Sequence, residues 1–303
     1  MKIHSYNEWD TLREVVVGSA TNANWPTNDP VFAEESKKTT WHGTPVPSGA
    51  VAAHIIDEAN QDLEVLCDIL TSNDVLVHRP TDMNFEALGG MYNYCPRDRL
   101  LVAGDTIVDP AMMYPCRDME TQALEFVTVG NTVKYMPRQE GMVLDAANIS
   151  RLGNTWLYLE SWSGNNLAYQ WLCEQFPHIK IEKCNFYSGV HIDSTIVPLR
   201  EGLVMINGSR VMPEQLPACL QDWDVIWVHQ VDPQDFYQYP YASKWIAMNT
   251  LSINPNTVIV DAAQTDLIRE IESKGLTVIP HTLRHSRTLG GGFHCVTLDT
   301  WRE

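Results

Sequence analysis

The sequence lacks an excess of basic residues and has no apolar stretch long enough to cross a membrane. Its 38 acidic side chains against 21 basic ones give a formal net charge of −17. This charge would repel phosphate backbones, so no nucleic-acid partner is expected, and a cationic or neutral small molecule is favoured. No segment approaches the roughly 20 consecutive apolar residues of a membrane-spanning helix, so no membrane partner is expected.

Targeting signals and crosslinking patterns are also missing. The N-terminal residues lack the apolar core of a signal peptide, which predicts a cytoplasmic protein. The seven cysteines are an odd number without any Cys-x-x-Cys spacing, so neither a disulfide framework nor a zinc ribbon is indicated. No low-complexity tract or linker divides the chain. We predict a single domain over residues 1–303.

Short apolar runs with strand character recur along the chain. They are Leu12–Gly18, Leu100–Gly104, Asn154–Glu160, Gly202–Asn207 and Asn256–Asp261. After the first interval, which is longer, their spacing of about 50 residues lies within the range of supersecondary repeats.

Helical patterns, each followed by a second strand pattern, come after most of these runs. The predicted helices are Val51–Leu70, Asn166–Phe176, Pro213–Gln221 and Ala262–Ser273. Each unit therefore reads as strand, helix, strand, and five such units favour a closed radial arrangement of modules over a doubly wound sheet. Ordinary α/β folds alternate in the same way, so repetition alone leaves both arrangements open. The segment Asn22–Gly49 is rich in Pro, Asn and Thr and is predicted to be a long surface loop, of a length common in lids.

The strongest local signal is Leu289–Cys295, in which three consecutive glycines lead into Phe-His-Cys. Glycines permit backbone conformations and close approaches that a side chain forbids. A glycine loop can also cradle phosphate, but the Lys-Ser/Thr of a P-loop is absent. We interpret Cys295 as a nucleophile presented to a ligand, with a buried structural cysteine as the alternative.

A cysteine nucleophile needs a proton-transfer partner and a group that orients it. His191 and Asp193 are two residues apart, which places them on the same face of a predicted strand. Asp145 supplies a second carboxylate in a short apolar setting. His294 adjoins Cys295, but neighbouring strand residues point to opposite faces, so His191 is preferred as the base.

Asp98 follows Pro96-Arg97 and precedes an apolar run, so we expect it at the beginning of a strand. A carboxylate there suits a guanidinium, because its two oxygens match the planar fork of donors. A simple turn residue is the alternative.

Together these motifs resemble the glycine amidinotransferase family, which includes the inosamine-phosphate amidinotransferases and belongs to the guanidino-group-modifying pentein superfamily. The matching segments run in the family's order, and they are Ser5–Asp10, Pro96–Asp98, Asp145–Ala147, His191–Asp193, Ser243–Trp245 with Met248-Asn249, and Leu289–Cys295. The resemblance implies a five-bladed α/β propeller of strand-helix-strand modules around an axial active site.

The resemblance also implies a role for each matching residue. Cys295 would be the nucleophile, His191 the general acid and base, and Asp145 the carboxylate that orients His191. Asp98 and Asp193 would bind the guanidinium of L-arginine. Arg210 and Ser243 would hold the α-carboxylate of this donor.

The implied reaction moves the amidino group of L-arginine to Cys295, releases L-ornithine, and passes the group to a primary amine without a cofactor or metal. Smaller residues before His191 than in the glycine-specific members leave the acceptor open between glycine, a longer amino acid such as lysine, and an amino sugar. An arginine deiminase or dihydrolase of the same superfamily is the nearest alternative. Others are a binding protein with a zinc site of Asp145, His191 and Cys295, and an enzyme that has lost its activity. Homodimers are usual in such families.

Overall fold

The computed structural model describes residues 1–39, 48–138, 141–189, 191–232 and 241–303. In chain order, the strands are β1 (Leu12–Val17), β2 (Asn24–Trp25), β3 (Gly49–Ala50), β4 (Leu76–His78), β5 (Leu101–Ala103), β6 (Thr106–Asp109), β7 (Thr132–Tyr135), β8 (Ile149–Leu152), β9 (Thr155–Leu159), β10 (Lys180–Cys184), β11 (Ile196–Arg200), β12 (Leu203–Asn207), β13 (Asp224–Val228), β14 (Leu251–Asn254), β15 (Thr257–Asp261), β16 (Thr277–His281) and β17 (Thr297–Arg302). The α-helices are α1 (Pro30–Thr39), α2 (Ala53–Thr71), α3 (Phe85–Leu88), α4 (Pro96–Arg99), α5 (Glu125–Thr128), α6 (Asn166–Gln175), α7 (Thr265–Ser273) and α8 (Ser286–Leu289).

Within these ranges, fifteen strands form five three-stranded sheets with one repeated pattern. The orders are β17-β1-β4, β5-β6-β7, β8-β9-β10, β11-β12-β13 and β14-β15-β16. In every sheet the middle strand pairs antiparallel on one side and parallel on the other. The predicted α/β propeller of five modules is confirmed, but each module has three strands, and the strand-helix-strand prediction missed at least one of them. Four of the five predicted runs are middle strands, whereas Leu100–Gly104 covers the antiparallel strand β5, and the middle strand β6 was missed.

Where the sequence permits it, an α-helix connects the middle strand of a module to its parallel strand. Helix α2 buries one apolar face, formed by Ile55, Ala59, Leu63, Leu66 and Leu70, as its helical spacing predicts. The helix predicted over Pro213–Gln221 is wrong, because this segment forms two short 3₁₀ helices, Pro213–Gln215 and Ala218–Leu220. Pro217 explains the break, since proline inside an α-helix lacks the amide donor and clashes with the preceding turn.

The two ends of the described chain close the ring. Strand β17 pairs antiparallel with β1, with Leu12 opposite Arg302 and Val17 opposite Thr297. Beneath this junction Arg151 is fully buried and pairs with Glu8 and Asp299, each at 2.8 Å. We call Glu8, Arg97, Arg151, Asp299 and Arg302 the buried ion cluster. It fixes the first module to its neighbours through paired charges that are shielded from water.

The prediction of a surface loop over Asn22–Gly49 is wrong for the residues that the structure describes. Strand β2 pairs with β3, α1 lies between them in the sequence, and Trp25 and Phe32 are buried. Their aromatic rings pack together with centroids 6.0 Å apart, which explains why this polar segment folds inward. Residues 40–47 lie outside the described residues, and a lid function stays a prediction.

The prediction of one domain over residues 1–303 also stays a prediction. In the described part of the chain, no helix is both long and apolar enough to cross a lipid bilayer.

Candidate active site

His191 lies in the turn between β10 and β11, and the prediction that it shares a strand face with Asp193 is wrong. Its φ of +52° lies in the left-handed region that few residues other than glycine adopt. Two hydrogen bonds, and not pairing with a neighbouring strand, hold the backbone at this point. The amide of His191 donates to Oδ1 of Asn148 at 3.0 Å, and the hydroxyl of Tyr187 donates to the carbonyl of His191. These bonds fix the backbone of the histidine in this conformation.

Asp145, which lies just before β8, holds the imidazole of His191. Its Oδ2 lies 3.1 Å from Nε2 of His191, and its Oδ1 accepts the amide of Met113 at 2.8 Å. Because both carboxylate oxygens are engaged, Asp145 is fixed in orientation and fixes the histidine ring in turn.

The charge of His191 follows from these surroundings. Burial alone would lower the pKa of His191, but the nearby carboxylates of Asp98 and Asp145 raise it to about 9. Oδ1 of Asp98 lies 3.7 Å from Nδ1 of the ring. His191 is therefore an imidazolium at neutral pH.

Asp98 lies in α4, a single helical turn, and not at the beginning of a strand as predicted. Pro96 occupies the first turn of this helix, where its fixed φ favours the helical conformation, and β5 begins only at Leu101. Oδ2 of Asp98 accepts Nη1 of Arg117 at 2.9 Å. Its Oδ1 is buried and has no hydrogen-bond partner within the described ranges. Burial raises the pKa of Asp98, so a cationic ligand at Oδ1 would be strongly favoured.

Arg117 and Glu120 complete this side of the site, and no sequence motif predicted either residue. Arg117 is buried, and its Nε lies 3.0 Å from Oε1 of Glu120. Burial raises the pKa of Glu120 to about 7. Because Arg117 is paired with both acids, it positions Asp98 and has few donors left for a ligand.

Cys295 lies in the turn between the glycine loop and β17. Its amide donates to Oδ1 of Asn249 at 3.0 Å, and its Sγ donates to Oδ2 of Asp193 at 3.3 Å. A Cβ on Gly291 would lie 2.5 Å from Sγ of Cys95 and 3.3 Å from Cβ of Cys295. Glycine is therefore required at position 291 for the chain to approach the nucleophile closely.

The thiol of Cys295 is held in its neutral form. A hydrogen bond with Cys95 and burial raise the pKa of Cys295 well above its usual range. Cys95 was not predicted to take part in the site. The neutral thiol is a resting form, since nucleophilic attack needs the thiolate.

Asp193 connects Cys295 with a second histidine. The Oδ2 that accepts the thiol also lies 2.9 Å from Nδ1 of His294, and Nδ2 of Asn249 donates to the backbone carbonyl of Asp193 at 3.1 Å. Although burial opposes ionisation, His294 and His191 lower the pKa of Asp193 to about 2. His294 and Cys295 lie in a turn, so the rule that neighbouring strand residues face opposite ways does not apply here, and both side chains reach Asp193.

Arg210 and Ser243 meet as predicted, with Nη2 of Arg210 donating to Oγ of Ser243 at 3.3 Å. Nη1 of Arg210 donates to Oγ1 of Thr195 at 2.8 Å, and the guanidinium lies 4.6 Å from the ring centroid of Tyr187. In the described part of the chain, no carboxylate forms an ion pair with Arg210. Its hydroxyl partners leave its positive charge uncompensated.

A cavity opens beside Asp98, Asp145 and His191. It is lined by Tyr92, Asp98, Tyr114, Arg117, Asp145, His191, Tyr241, Ala242 and Gly290. Across residues 1–39, 48–138, 141–189, 191–232 and 241–303, no three His, Cys, Asp or Glu side chains are arranged to hold a metal ion. The geometry instead places the carboxylates of Asp98 and Asp145 and the imidazolium of His191 around a space for a small cation, and Gly290 of the glycine loop that leads to Cys295 also lines it.

Comparison with known proteins identifies the family. No protein-family model matches the sequence. Over 333 aligned residues the chain is 39% identical to inosamine-phosphate amidinotransferase 1 of Streptomyces griseus, with 98% of this chain and 96% of that protein covered. The chain belongs to the amidinotransferase family. It is therefore an enzyme that transfers amidino groups between small molecules.

More distant members of the amidinotransferase family cover the same length of this chain. The mitochondrial glycine amidinotransferase of Xenopus tropicalis is 28% identical over 99% of this chain and 82% of its own. The L-arginine:L-lysine amidinotransferase of Pseudomonas savastanoi pv. phaseolicola is 29% identical over 99% of this chain and 94% of its own.

Solved structures agree with this assignment. The inosamine-phosphate amidinotransferase of Streptomyces griseus superposes with a TM-score of 0.92 at 37% identity, covering 99% of this chain and 97% of that one. DDAH from Pseudomonas aeruginosa superposes with a TM-score of 0.65 at 17% identity, covering 95% and 99% of the two chains, which shows a shared fold. The amidinotransferase family and its propeller, both predicted from the sequence, are thus confirmed.

Proposed function

We propose that this amidinotransferase takes the amidino group of L-arginine, releases L-ornithine, and passes the group to a primary amine through an amidino-Cys295 intermediate. The observation that carries the choice of donor is Arg210, whose charge is met only by neutral hydroxyl groups within the described ranges. A planar guanidinium beside Ser243 suits an α-carboxylate, which it binds through two parallel hydrogen bonds. An amino acid donor is therefore favoured over a simple alkylguanidine.

The carboxylates on the other side of the site suit the guanidinium of that donor. Oδ1 of Asp98 is buried without a hydrogen-bond partner in the described chain, and Asp193 is ionised beside Cys295. A guanidinium placed between them would satisfy both carboxylates and would lie next to Sγ. Its own positive charge would also lower the pKa of the thiol, which favours thiolate formation at the moment of binding.

Donor binding also prepares His191 for proton transfer. The carboxylates of Asp98 and Asp193 help to raise the pKa of His191, and a guanidinium between them would offset that effect. His191 then loses its proton and can accept the proton of Cys295. The Sγ–C bond forms at the guanidinium carbon, His191 returns the proton to the departing nitrogen, and the C–N bond breaks to release ornithine.

The second half-reaction uses the same groups in reverse. The acceptor attacks the amidino carbon as the free amine, and His191 takes one proton from the attacking nitrogen. The C–S bond then breaks, and His191 passes that proton to the departing sulfur of Cys295. Because ornithine leaves before the acceptor reacts, the kinetics are expected to be ping-pong.

We propose an acceptor larger than glycine. The relative at 39% identity is named for an inosamine phosphate, whereas the relative that is named for glycine is 28% identical. Ser188 and Gly189, two small residues, precede His191 by a few positions. Small side chains at these positions would leave room for a longer amino acid, an amino sugar or an aminocyclitol phosphate.

An amine screen tests this proposal. The enzyme is incubated with L-arginine and one amine at a time, from a panel of glycine, β-alanine, L-lysine and an aminocyclitol phosphate. Ornithine and the amidinated amine are quantified by mass spectrometry. We expect equal amounts of both products with at least one larger amine. Ornithine absent with every amine, or citrulline or urea formed at the same rate without an amine, would contradict transfer from arginine.

A further inference from the structure

We propose that His294 is a positioning residue of the transfer reaction, which holds the carboxylate of Asp193 against Cys295. The inference rests on the proposed function, in which Asp193 binds the donor guanidinium. Nδ1 of His294 lies 2.9 Å from Oδ2 of Asp193, and the same oxygen accepts Sγ of Cys295 at 3.3 Å. The histidine therefore determines where the acceptor oxygen for the thiol lies.

The other side of the His294 ring is anchored in the buried ion cluster. Nε2 lies 3.3 Å from Oε2 of Glu8, and Glu8 accepts Nε and Nη2 of Arg151 at 2.9 and 2.8 Å. All of these side chains are buried. Because these side chains are buried, such a chain of charge-assisted bonds transmits position from the cluster to Asp193.

These contacts give His294 a different task from that of His191. Both ring nitrogens of His294 face carboxylates, so neither nitrogen is free to take the proton of Cys295. The two carboxylates favour the protonated ring, which bridges them as a cation. Arg97, whose Nε lies 3.4 Å from the backbone carbonyl of His294, opposes that charge. His294 thus holds Asp193 in place and in its ionised form, while His191 moves protons.

Two variants of His294 separate its two contacts. In His294→Asn, the side-chain nitrogen lies near the position of Nδ1 and can still donate to Asp193. In His294→Gln, it lies near Nε2 and reaches Glu8 instead. We expect kcat/KM for arginine to fall about 100-fold in His294→Gln, since a displacement of 1 Å in a catalytic site can cost that much. His294→Asn should lose about 10-fold or less, and the exposed His178→Gln is the matched control.

Alkylation of Cys295 by iodoacetamide gives a second readout that needs no donor. Cys95, Asp98, Asp193 and Tyr94 face the thiol and are unchanged in both variants. Both variants lose the imidazolium charge, so the pH midpoint of alkylation should move upward in both. A residue that only supports the fold would lower the melting temperature without moving this midpoint.

The outcomes distinguish the possible failures. Equal losses of kcat/KM in His294→Asn and His294→Gln, or an unchanged alkylation midpoint, would overturn the role of His294. If both variants unfold, Glu8→Gln replaces them, and an unchanged kcat/KM there would also overturn it. A wild-type enzyme that releases no ornithine from arginine contradicts the proposed function, while the alkylation result still decides the role of His294.

Discussion

Nε2 of His191 lies 3.1 Å from Oδ2 of Asp145, although the two residues are 46 positions apart in the sequence. This bond joins the turn after β10 to the turn before β8. Together with the hydrogen bond from the amide of His191 to Oδ1 of Asn148, it holds the histidine ring towards the cavity. The pKa of His191 therefore depends on residues from two modules. It can be tested by substituting either His191 or Asp145.

Asp145→Asn should reduce kcat by about 100-fold, because general acid-base groups commonly contribute that much. It should also change the pH profile. In the wild type, kcat/KM for arginine should rise with pH towards about 9, the pKa of His191, because the imidazolium must lose its proton before it accepts that of Cys295. Without the carboxylate, the pKa of His191 falls and the rise occurs at lower pH. Initial rates between about pH 6 and pH 10 measure this shift, and an unchanged or higher midpoint would contradict it.

Arg210→Ala should weaken binding of arginine selectively. Hydrogen bonds to a charged group contribute about 1.5–3 kcal/mol, so KM for arginine should rise roughly 10- to 150-fold. Agmatine has the same guanidinium but no α-carboxylate, and its kcat/KM should be almost unchanged. Arg269→Ala, on the exposed side of α7, is the control. Equal losses of kcat/KM with arginine and agmatine would show that Arg210 does not bind the α-carboxylate.

Cys295→Ala should abolish ornithine release while arginine still binds, as isothermal titration calorimetry can measure. When the wild-type enzyme is mixed with arginine and no acceptor, intact-protein mass spectrometry should detect one amidino group per chain. The adduct should be absent from Cys295→Ala and present in Cys173→Ala, which changes a cysteine of α6 outside the site. Turnover in the alanine variant would refute covalent transfer through this residue.

Gly291→Ala should destabilise the nucleophile loop, since its Cβ would lie 2.5 Å from Sγ of Cys95. Overpacking of this kind costs about 1–3 kcal/mol of unfolding free energy. Removing the obstructing sulfur in Gly291→Ala/Cys95→Ala should restore part of both stability and kcat. Urea unfolding and steady-state rates measure the two effects. A double variant that is worse than the sum of the single changes would exclude the contact as the cause.

The repeated modules could be predicted because four of the five middle strands, β1, β9, β12 and β15, are short apolar runs and most connecting helices show regular apolar spacing. In the second module the predicted run was the antiparallel strand β5, and the middle strand β6 was missed. The antiparallel strands β8, β11 and β14 were missed. They are four or five residues long and follow turns, so their apolar residues give no separate periodic signal. The break in Pro213–Gln221 depended on Pro217, a strictly local effect that outweighed the apolar pattern.

The structure places the predicted site residues in one connected group, but their local conformations did not follow from the sequence. Two polar residues separated by one position suggest one face of a strand. His191 and Asp193 are instead oriented by a turn, which is held by hydrogen bonds with Tyr187 and Asn148. The positions of Cys95, Arg117 and His294 depend on contacts between distant segments. Such contacts form only when the modules assemble into the ring, so no local sequence motif predicts them.

The pairing of β17 with β1 has a consequence for synthesis of the protein. Cys295 comes two residues before β17, the strand that gives β1 its antiparallel neighbour. On the ribosome, the reactive sulfur and the strand that closes the ring therefore emerge almost together. A nascent chain that ends before Cys295 has an open first module and no nucleophile. The nucleophile and the strand that completes the ring are therefore added within the same few steps of translation.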